Sequence, residues 1–239
     1  MKILALESSA CAASAAVAED GRLLGEAFLN VGLTHSQTLL PLVQNLLHSA
    51  GLELREMDAF AVTCGPGSFT GVRIGVAALK GLAFPFDKPC VPLSTLEVIA
   101  YGMVGQDCTV CAAMDARCAQ VYTALFACHG GKLSRLTEDA ALKISELPAL
   151  LAGRAEPVVF AGDGGALCFE AIGGQIPGSR LAAVHERYQR AGCAALLAQE
   201  KLLSGGGIPS DQLAPTYLRM PQAERELQKK NNTMNKMEE

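Results

Sequence analysis

The residues with chemistry to offer gather at glycine-rich turns. Cys64-Gly65-Pro66-Gly67-Ser68 follows a short apolar run at 59–63 and precedes small and apolar residues at helical spacing over 70–82. Two glycines permit positive φ, and Pro66 fixes its own φ and lacks an N–H, so the strand ends there. Strand, turn and helix together deliver backbone N–H groups at a helix N-terminus, where the macrodipole favours an anion. The chemistry on offer is a phosphate cradle of Gly65, Pro66, Gly67, Ser68 and Thr70, with Arg73 one turn into the helix as the nearest strong cation. The plainer reading is a tight strand-to-helix turn that binds nothing. A Walker A loop is excluded because Gly71 is followed by Val72-Arg73, and a dinucleotide fingerprint because Thr70 stands where its third glycine belongs.

Two further turns repeat the pattern. Glu7-Ser8-Ser9 ends the first apolar run with hydroxyls that can donate to a phosphate and a carboxylate that can hold a metal or water. Gly162-Asp163-Gly164 lies between an apolar run and a helix; its aspartate disfavours a phosphate but accepts from a ribose hydroxyl. Metal chemistry is poorly served. Cys108 and Cys111 are three apart on a strand and point to opposite faces, and neither Cys118 nor a well-spaced histidine completes a zinc set. His35 and His48 have no second histidine four residues away, and His35 reads as a helix-start residue.

The elements that must position these turns begin with three strands, at 2–8, 11–18 and 22–30, joined by short turns into an antiparallel meander. Thr34 and Gln37 form a capping-box pattern opening a helix that Gly51 stops, and Pro41 inside it predicts a kink or marks its true start. The central strand–loop–helix follows, then a strand at 90–93 and a helix capped by Ser94. This βββαβαβα order is the plan of a ribonuclease-H-like lobe. After a boundary at 105–107 come two strands, at 109–114 and 120–127, an extended stretch at 133–142, a short helix at 144–151, the strand at 157–161 and a helix to about 172. An amphipathic helix at 188–203 is followed by extended chain at 214–219. The domain reading is an N-terminal lobe at 1–104 completed by the helix at about 188–204, a smaller lobe at 105–187, and a polar tail at 220–239 whose composition predicts disorder.

With 239 residues, 50% hydrophobic and 18% charged, the chain can bury a sizeable core, and its net charge of −4 argues against a broad nucleic-acid surface. Nine cysteines in apolar contexts fit reduced, buried thiols. No apolar run is read as approaching a membrane span, and the N-terminus is too short in its apolar part for a signal peptide, so a cytoplasmic location is expected.

GPGSFTGVRIG at 65–75, ESSACAASAAV at 7–17, THSQTLLPLV at 34–43, FAGDGG at 160–165 and APTYLR at 214–219 together resemble the bacterial TsaB (YeaZ) family of tRNA threonylcarbamoyladenosine biosynthesis. The resemblance runs to about Arg219, GPGSFTGVRIG being its most specific piece. It implies the α/β, actin-like and Hsp70-like ATPase fold of two ribonuclease-H-like lobes. It implies a non-catalytic scaffold and activator of the paralogue TsaD, which modifies the tRNA adenosine next to the anticodon through a metal held by two histidines. Laying 91–100 on that segment puts Thr95 and Ile99 at the histidine positions, and neither replaces an imidazole. Carried over, the contact with TsaD falls on the N-lobe helices: Leu39, Leu40, Val43, Leu46 and Leu47, with the small stripe Gly71, Gly75 and Ala78. The family association adds the ATPase TsaE and, indirectly, tRNA, with self-association when the chain is alone. No cofactor is expected beyond weakly held ATP or ADP. Glu7 departs from the aspartate of many family members, which weakens any water or metal role. The competing readings are a nucleotide-dependent phosphotransferase or ATPase, with Asp115 and Asp163 as its tempting bases, and a metallopeptidase, for which HExxH is missing.

Overall fold

The computed structural model describes residues 1–154 and 157–219; the expected tail at 220–239 lies outside them. The N-terminal lobe runs β1 (Lys2–Glu7), β2 (Ala13–Glu19), β3 (Arg22–Leu29), α1 (His35–Ala50), β4 (Ala59–Gly65), α2 (Phe69–Ala83), β5 (Cys90–Ser94) and α3 (Thr95–Tyr101). Its sheet has the order β3-β2-β1-β4-β5. The β1–β2 pair is antiparallel (Leu4 opposite Val17), and β1–β4 and β4–β5 are parallel (Ala5 beside Ala61, Ala61 beside Val91). This is the ribonuclease-H-like plan that the order of elements predicts.

The second lobe holds β6 (Cys108–Asp115), β7 (Gln120–His129), β8 (Lys132–Arg135), β9 (Ala140–Lys143), α4 (Leu147–Leu151), β10 (Val158–Ala161), α5 (Gly165–Ile172), β11 (Arg180–Leu181) and α6 (Val184–Arg187), with sheet order β11-β10-β6-β7-β8 and β9 also paired to β7. The chain then returns as α7 (Ala191–Leu203) to the face of the first sheet. The stretch between the helix ending at about 172 and the helix expected from 188 holds β11, and the extended stretch at 133–142 is two short strands.

The central strands are apolar along their whole length because helices cover both faces of the sheet. On one face Leu4, Leu6, Phe60 and Val62 meet α1 and α2; on the other Ile3, Ala5, Ala61 and Val91 meet Ala194, Ala195 and Ala198 of α7. The alanines let α7 lie close to the strands, and Arg190 and Gly192 fix its start on Glu26 of β3 at 3.0 Å each. Cys108 and Cys111 do belong to cores on opposite faces of β6.

Three local expectations need correction. Thr34 is the N-cap of α1, but its side chain makes no capping bond; Thr38 Oγ1 donates to its carbonyl at 3.3 Å instead. Pro41 neither starts nor ends α1, which runs from His35 through Pro41 to Ala50; Pro41 sits on the exposed side, so the carbonyl it leaves free faces solvent rather than core. Phe69–Phe86 is long and apolar enough to match a membrane span by length and composition; here it caps the first sheet, with Val72, Val76 and Leu79 buried.

Candidate functional site in the interlobe cleft

The first turn of the chain is docked onto α2. Ser8 Oγ donates to the Gly71 carbonyl at 2.9 Å, and a Cβ added at Gly71 or Gly75 would collide with the Ser8 carbonyl oxygen or hydroxyl. The Ser68 N–H donates to the Ser9 carbonyl at 2.6 Å, and Ser68 Oγ caps α2 by accepting from the Gly71 N–H at 3.2 Å. His35 closes the other side: its Nε2 lies 2.6 Å from the Ala10 carbonyl, which only accepts, so that nitrogen carries the proton. The glycine-bearing stripe of α2 therefore exists to receive a turn, not a helix.

Glu7, at the end of β1, is completely buried. Its Oε1 accepts from the Ser9 N–H at 2.8 Å, from Thr63 Oγ1 at 3.2 Å and from Ser9 Oγ, while Oε2 has no partner. Burial pushes its pKa up to about 7; the Ser9 and Thr63 hydrogen bonds oppose the rise, and the Asp163 carboxylate adds to it. Asp163, on the turn between β10 and α5, is pushed up to about 6 by burial, with Asp115 adding and backbone N–H groups opposing. Its Oδ1 is also without a partner, as is the buried Thr95 Oγ1 at the start of α3. A carboxyl from each lobe thus reaches the boundary between them, each with its proton held into the physiological range.

Above them opens a cleft of about 410 Å³ whose walls include Ser9 and Thr70 from the first lobe, Asp115, Arg117 and Asp163 from the second, and Arg219 from the chain's last described turn. Of the residues expected at a phosphate cradle, Ser9, Pro66, Gly67, Ser68, Thr70 and Asp163 line it. Glu7 and Ser8 are buried in their turn, and Gly162 and Gly164 are packed against the end of β6, at Ala113 and Met114–Asp115. Arg73 is engaged elsewhere: its Nε donates to Tyr217 Oη at 2.7 Å, and its guanidinium lies 4.0 Å over the Phe69 ring. These residues do not fit a tightly held polyphosphate. The Ser68 and Gly71 N–H groups are spent within the first lobe, Arg73 is committed to Tyr217, and the Asp115 and Asp163 carboxyls on the cleft wall offset the charge of Arg117 and Arg219.

The expected partner face is corrected as well. Leu39, Val43, Leu46, Leu47, Gly71 and Gly75 are buried within the chain's own first lobe, and of the eight positions Leu40 alone is exposed, with Ala78 half-buried. A wide apolar stripe on α1 reflects its seat on the sheet. α2 also carries a neighbouring small and apolar stripe, Ile74, Ala77, Ala78 and Gly81, in which Ala77 and Gly81 are exposed and Ile74 and Ala78 are half-buried against the lobe's own core. Sequence reasoning also missed Tyr217 and Lys80, whose partners lie more than a hundred residues away in the chain; the APTYLR motif was the one signal that the segment matters. Among the described residues no group of three or more His, Cys, Asp or Glu side chains could hold a metal ion.

Comparison with known proteins gives concordant results. The family model for TsaD, tRNA N6-adenosine threonylcarbamoyltransferase, matches residues 30–227. The tRNA threonylcarbamoyladenosine biosynthesis protein TsaB of Bacillus subtilis is 32% identical over 162 residues, 68% of this chain and 71% of that protein. TsaB of Escherichia coli is 40% identical over 126 residues, 52% of this chain and 54% of that protein. Among solved structures, YeaZ from Pseudomonas aeruginosa superposes with a TM-score of 0.79 at 30% identity, covering 91% of this chain and 99% of that one.

Proposed function

The chain belongs to the TsaB (YeaZ) family, within the wider TsaD family, and from that premise we propose that it serves tRNA threonylcarbamoyladenosine biosynthesis as a non-catalytic partner of TsaD. The observation that carries this reading is the pair Thr95 and Ile99. The resemblance puts TsaD's metal-binding histidines at these positions, and here both side chains are buried, with exposures of 0% and 1%. A hydroxyl and a hydrocarbon at those places leave the chain without the paralogue's way of polarising the transferred group. In this role the chain is a pseudo-enzyme subunit with no tightly bound cofactor, working in the cytoplasm where the tRNA substrate is. TsaE is the third component, and tRNA is met through the complex.

The partner face we propose is the outer stripe of α2, Ile74, Ala77, Ala78 and Gly81, which repeats at the spacing of one helix face and admits a second helix closely. The same stripe joins two copies of the chain when TsaD is absent. The test is threonylcarbamoylation of tRNA in a reconstituted system of the adenylate-forming enzyme, TsaD, TsaE, tRNA, threonine, bicarbonate and ATP, with and without this chain. Product is expected only with it, and Ala77→Glu, a change at an exposed site that leaves the fold intact, is expected to abolish the stimulation. Equal product without the chain overturns the partner reading; full stimulation by Ala77→Glu overturns the face.

A further inference from the structure

The last described segment does more than trail along the surface. Leu213 is buried in the first lobe's core at 2% exposure, and Lys80 of α2 donates to the carbonyls of Asp211 and Leu213 at 2.9 and 3.1 Å. The Thr216 N–H then donates to the Cys64 carbonyl at 2.7 Å. That approach demands glycine at position 65, because a Cβ there would collide with the Thr216 carbonyl oxygen; Gly65 also has φ of +121°. Tyr217 stacks on Phe69 with ring centroids 4.1 Å apart and planes at 18°, and the Arg73 guanidinium lies 4.0 Å from the Phe69 centroid and 5.6 Å from that of Tyr217, with its Nε on the Tyr217 hydroxyl. The chain then crosses the cleft. Leu218 and Arg219 line it, and the Arg219 guanidinium lies 5.7 Å over the ring of Tyr122 on β7, in the second lobe.

We propose that residues 213–219 form a strap that clasps the two lobes and holds the cleft at its present width, and that Gly65, Phe69 and Arg73 are the strap's receptor. This assigns a different duty to residues whose pattern suggests a phosphate cradle. The Phe69 face that could have stacked on a base carries Tyr217, and the cation that could have met a phosphate carries its hydroxyl. Beyond the buried Leu213 and its carbonyl's bond from Lys80, the clasp is made of one backbone hydrogen bond, one stacked aromatic pair with its arginine, and one cation–π contact, each worth little alone but joined in a single extended segment. Its two ends answer to different lobes, so loss of either loosens their mutual position without touching either core. The inference is independent of the proposed function, since it concerns the isolated chain.

The test is hydrogen exchange of the full-length chain, read peptide by peptide, for the natural sequence and for Tyr217→Ala, Tyr217→Phe and Arg219→Ala. Tyr217 is 41% exposed, so its truncation does not empty a core. Tyr217→Ala is expected to speed exchange about tenfold in the hairpin at 115–120 and the turn at 162–164, the second-lobe walls of the cleft, while α1 keeps its protection. Arg219→Ala is expected to act on the same two segments, and Tyr217→Phe, which keeps the stack, to restore most of the protection. The strap is refuted if both alanine variants leave those segments within about twofold of the natural chain. It is equally refuted if exchange rises uniformly, α1 included, since that would be a loss of general stability. Nucleotide supplies a separate arm. Millimolar Mg-ATP is expected to leave strap exchange unchanged in the natural chain, and binding that displaces the strap's aromatic stack would show that the cleft is a nucleotide site after all.

Discussion

Replacing Glu7 by glutamine should make the protein more stable, and only above a particular pH. The carboxyl is completely buried, with a pKa near 7 in the folded chain against 4.5 for an ordinary glutamate. Because the folded value is the higher one, the folded chain holds the proton more tightly than the unfolded chain. Folding therefore loses stability as pH rises from the unfolded value through the folded one. The loss is nearly absent at pH 4, about 1 kcal/mol at pH 5, and about 3 kcal/mol at pH 8, where it is complete. Glutamine cannot ionise, and its carbonyl oxygen still accepts from the Ser9 N–H and Thr63 Oγ1, the contacts that hold the side chain now. The assay is urea unfolding of the natural chain and Glu7→Gln between pH 4.5 and 8.5. The variant should gain steadily over the natural chain from pH 5 to 8, reaching about 3 kcal/mol, or about 10 °C in Tm for a chain of this size. A difference that stays constant across that range would mean that Glu7 does not carry an uncompensated charge, and the reading of the lobe boundary would fall with it.

The α2 glycines separate by what they face. Gly71→Ala, with its new Cβ against the Ser8 carbonyl, should cost about 3 kcal/mol in thermal or urea unfolding, whereas Gly81→Ala, with open space around it, should gain up to about 1 kcal/mol. On α1, Val43→Asp buries a charge in the core and should yield little soluble folded protein by circular dichroism, while Leu40→Asp at an exposed site should unfold within about 0.5 kcal/mol of the natural chain.

The first lobe was legible because its strands are continuous apolar runs and its turns are punctuated by glycine, proline and hydroxyl residues. Those signals are local, and the order β3-β2-β1-β4-β5 follows from them once the meander is recognised. The partner face was misread for a physical reason. A helical stripe such as Leu39, Val43 and Leu46 reports how much of a helix is buried and says nothing about what buries it. The small residues of α2 did announce a close neighbour, but that neighbour is the Ser8–Ser9 turn, more than sixty residues earlier in the chain. Tyr217 on Phe69 is the same problem at greater separation, since stacking of distant aromatics leaves no period to count. Burial of Glu7 was equally invisible: a carboxylate at a strand end reads as solvated until the second lobe is set over it.

The strap and the buried carboxyls act on the same boundary in opposite senses, and this explains how the boundary is held. Glu7 and Asp163 each bring unpartnered oxygen to the place where the lobes meet, so above neutral pH their charges oppose close approach. Several nearby donors are committed: the Ser9 N–H and Thr63 hydroxyl to Glu7 Oε1, the Ser68 N–H to Ser9, and the Arg73 Nε–H to Tyr217, while Thr95 Oγ1 and Arg219 Nη1 make no hydrogen bond. A bound polyanion would add to the opposition. The lobes are held together by contact made by the chain itself: Leu96, Ile99 and Met103 from α3 and its C-terminal end, packed with Val110 and Phe126 of the second lobe, Ser94 of β5 on Asp139 at 2.6 Å, and the strap across the cleft. A two-lobed fold whose ends are tied by its own segments has no need of a ligand to set its shape. That is the property a subunit needs when it offers a partner a fixed surface rather than turning over a substrate of its own.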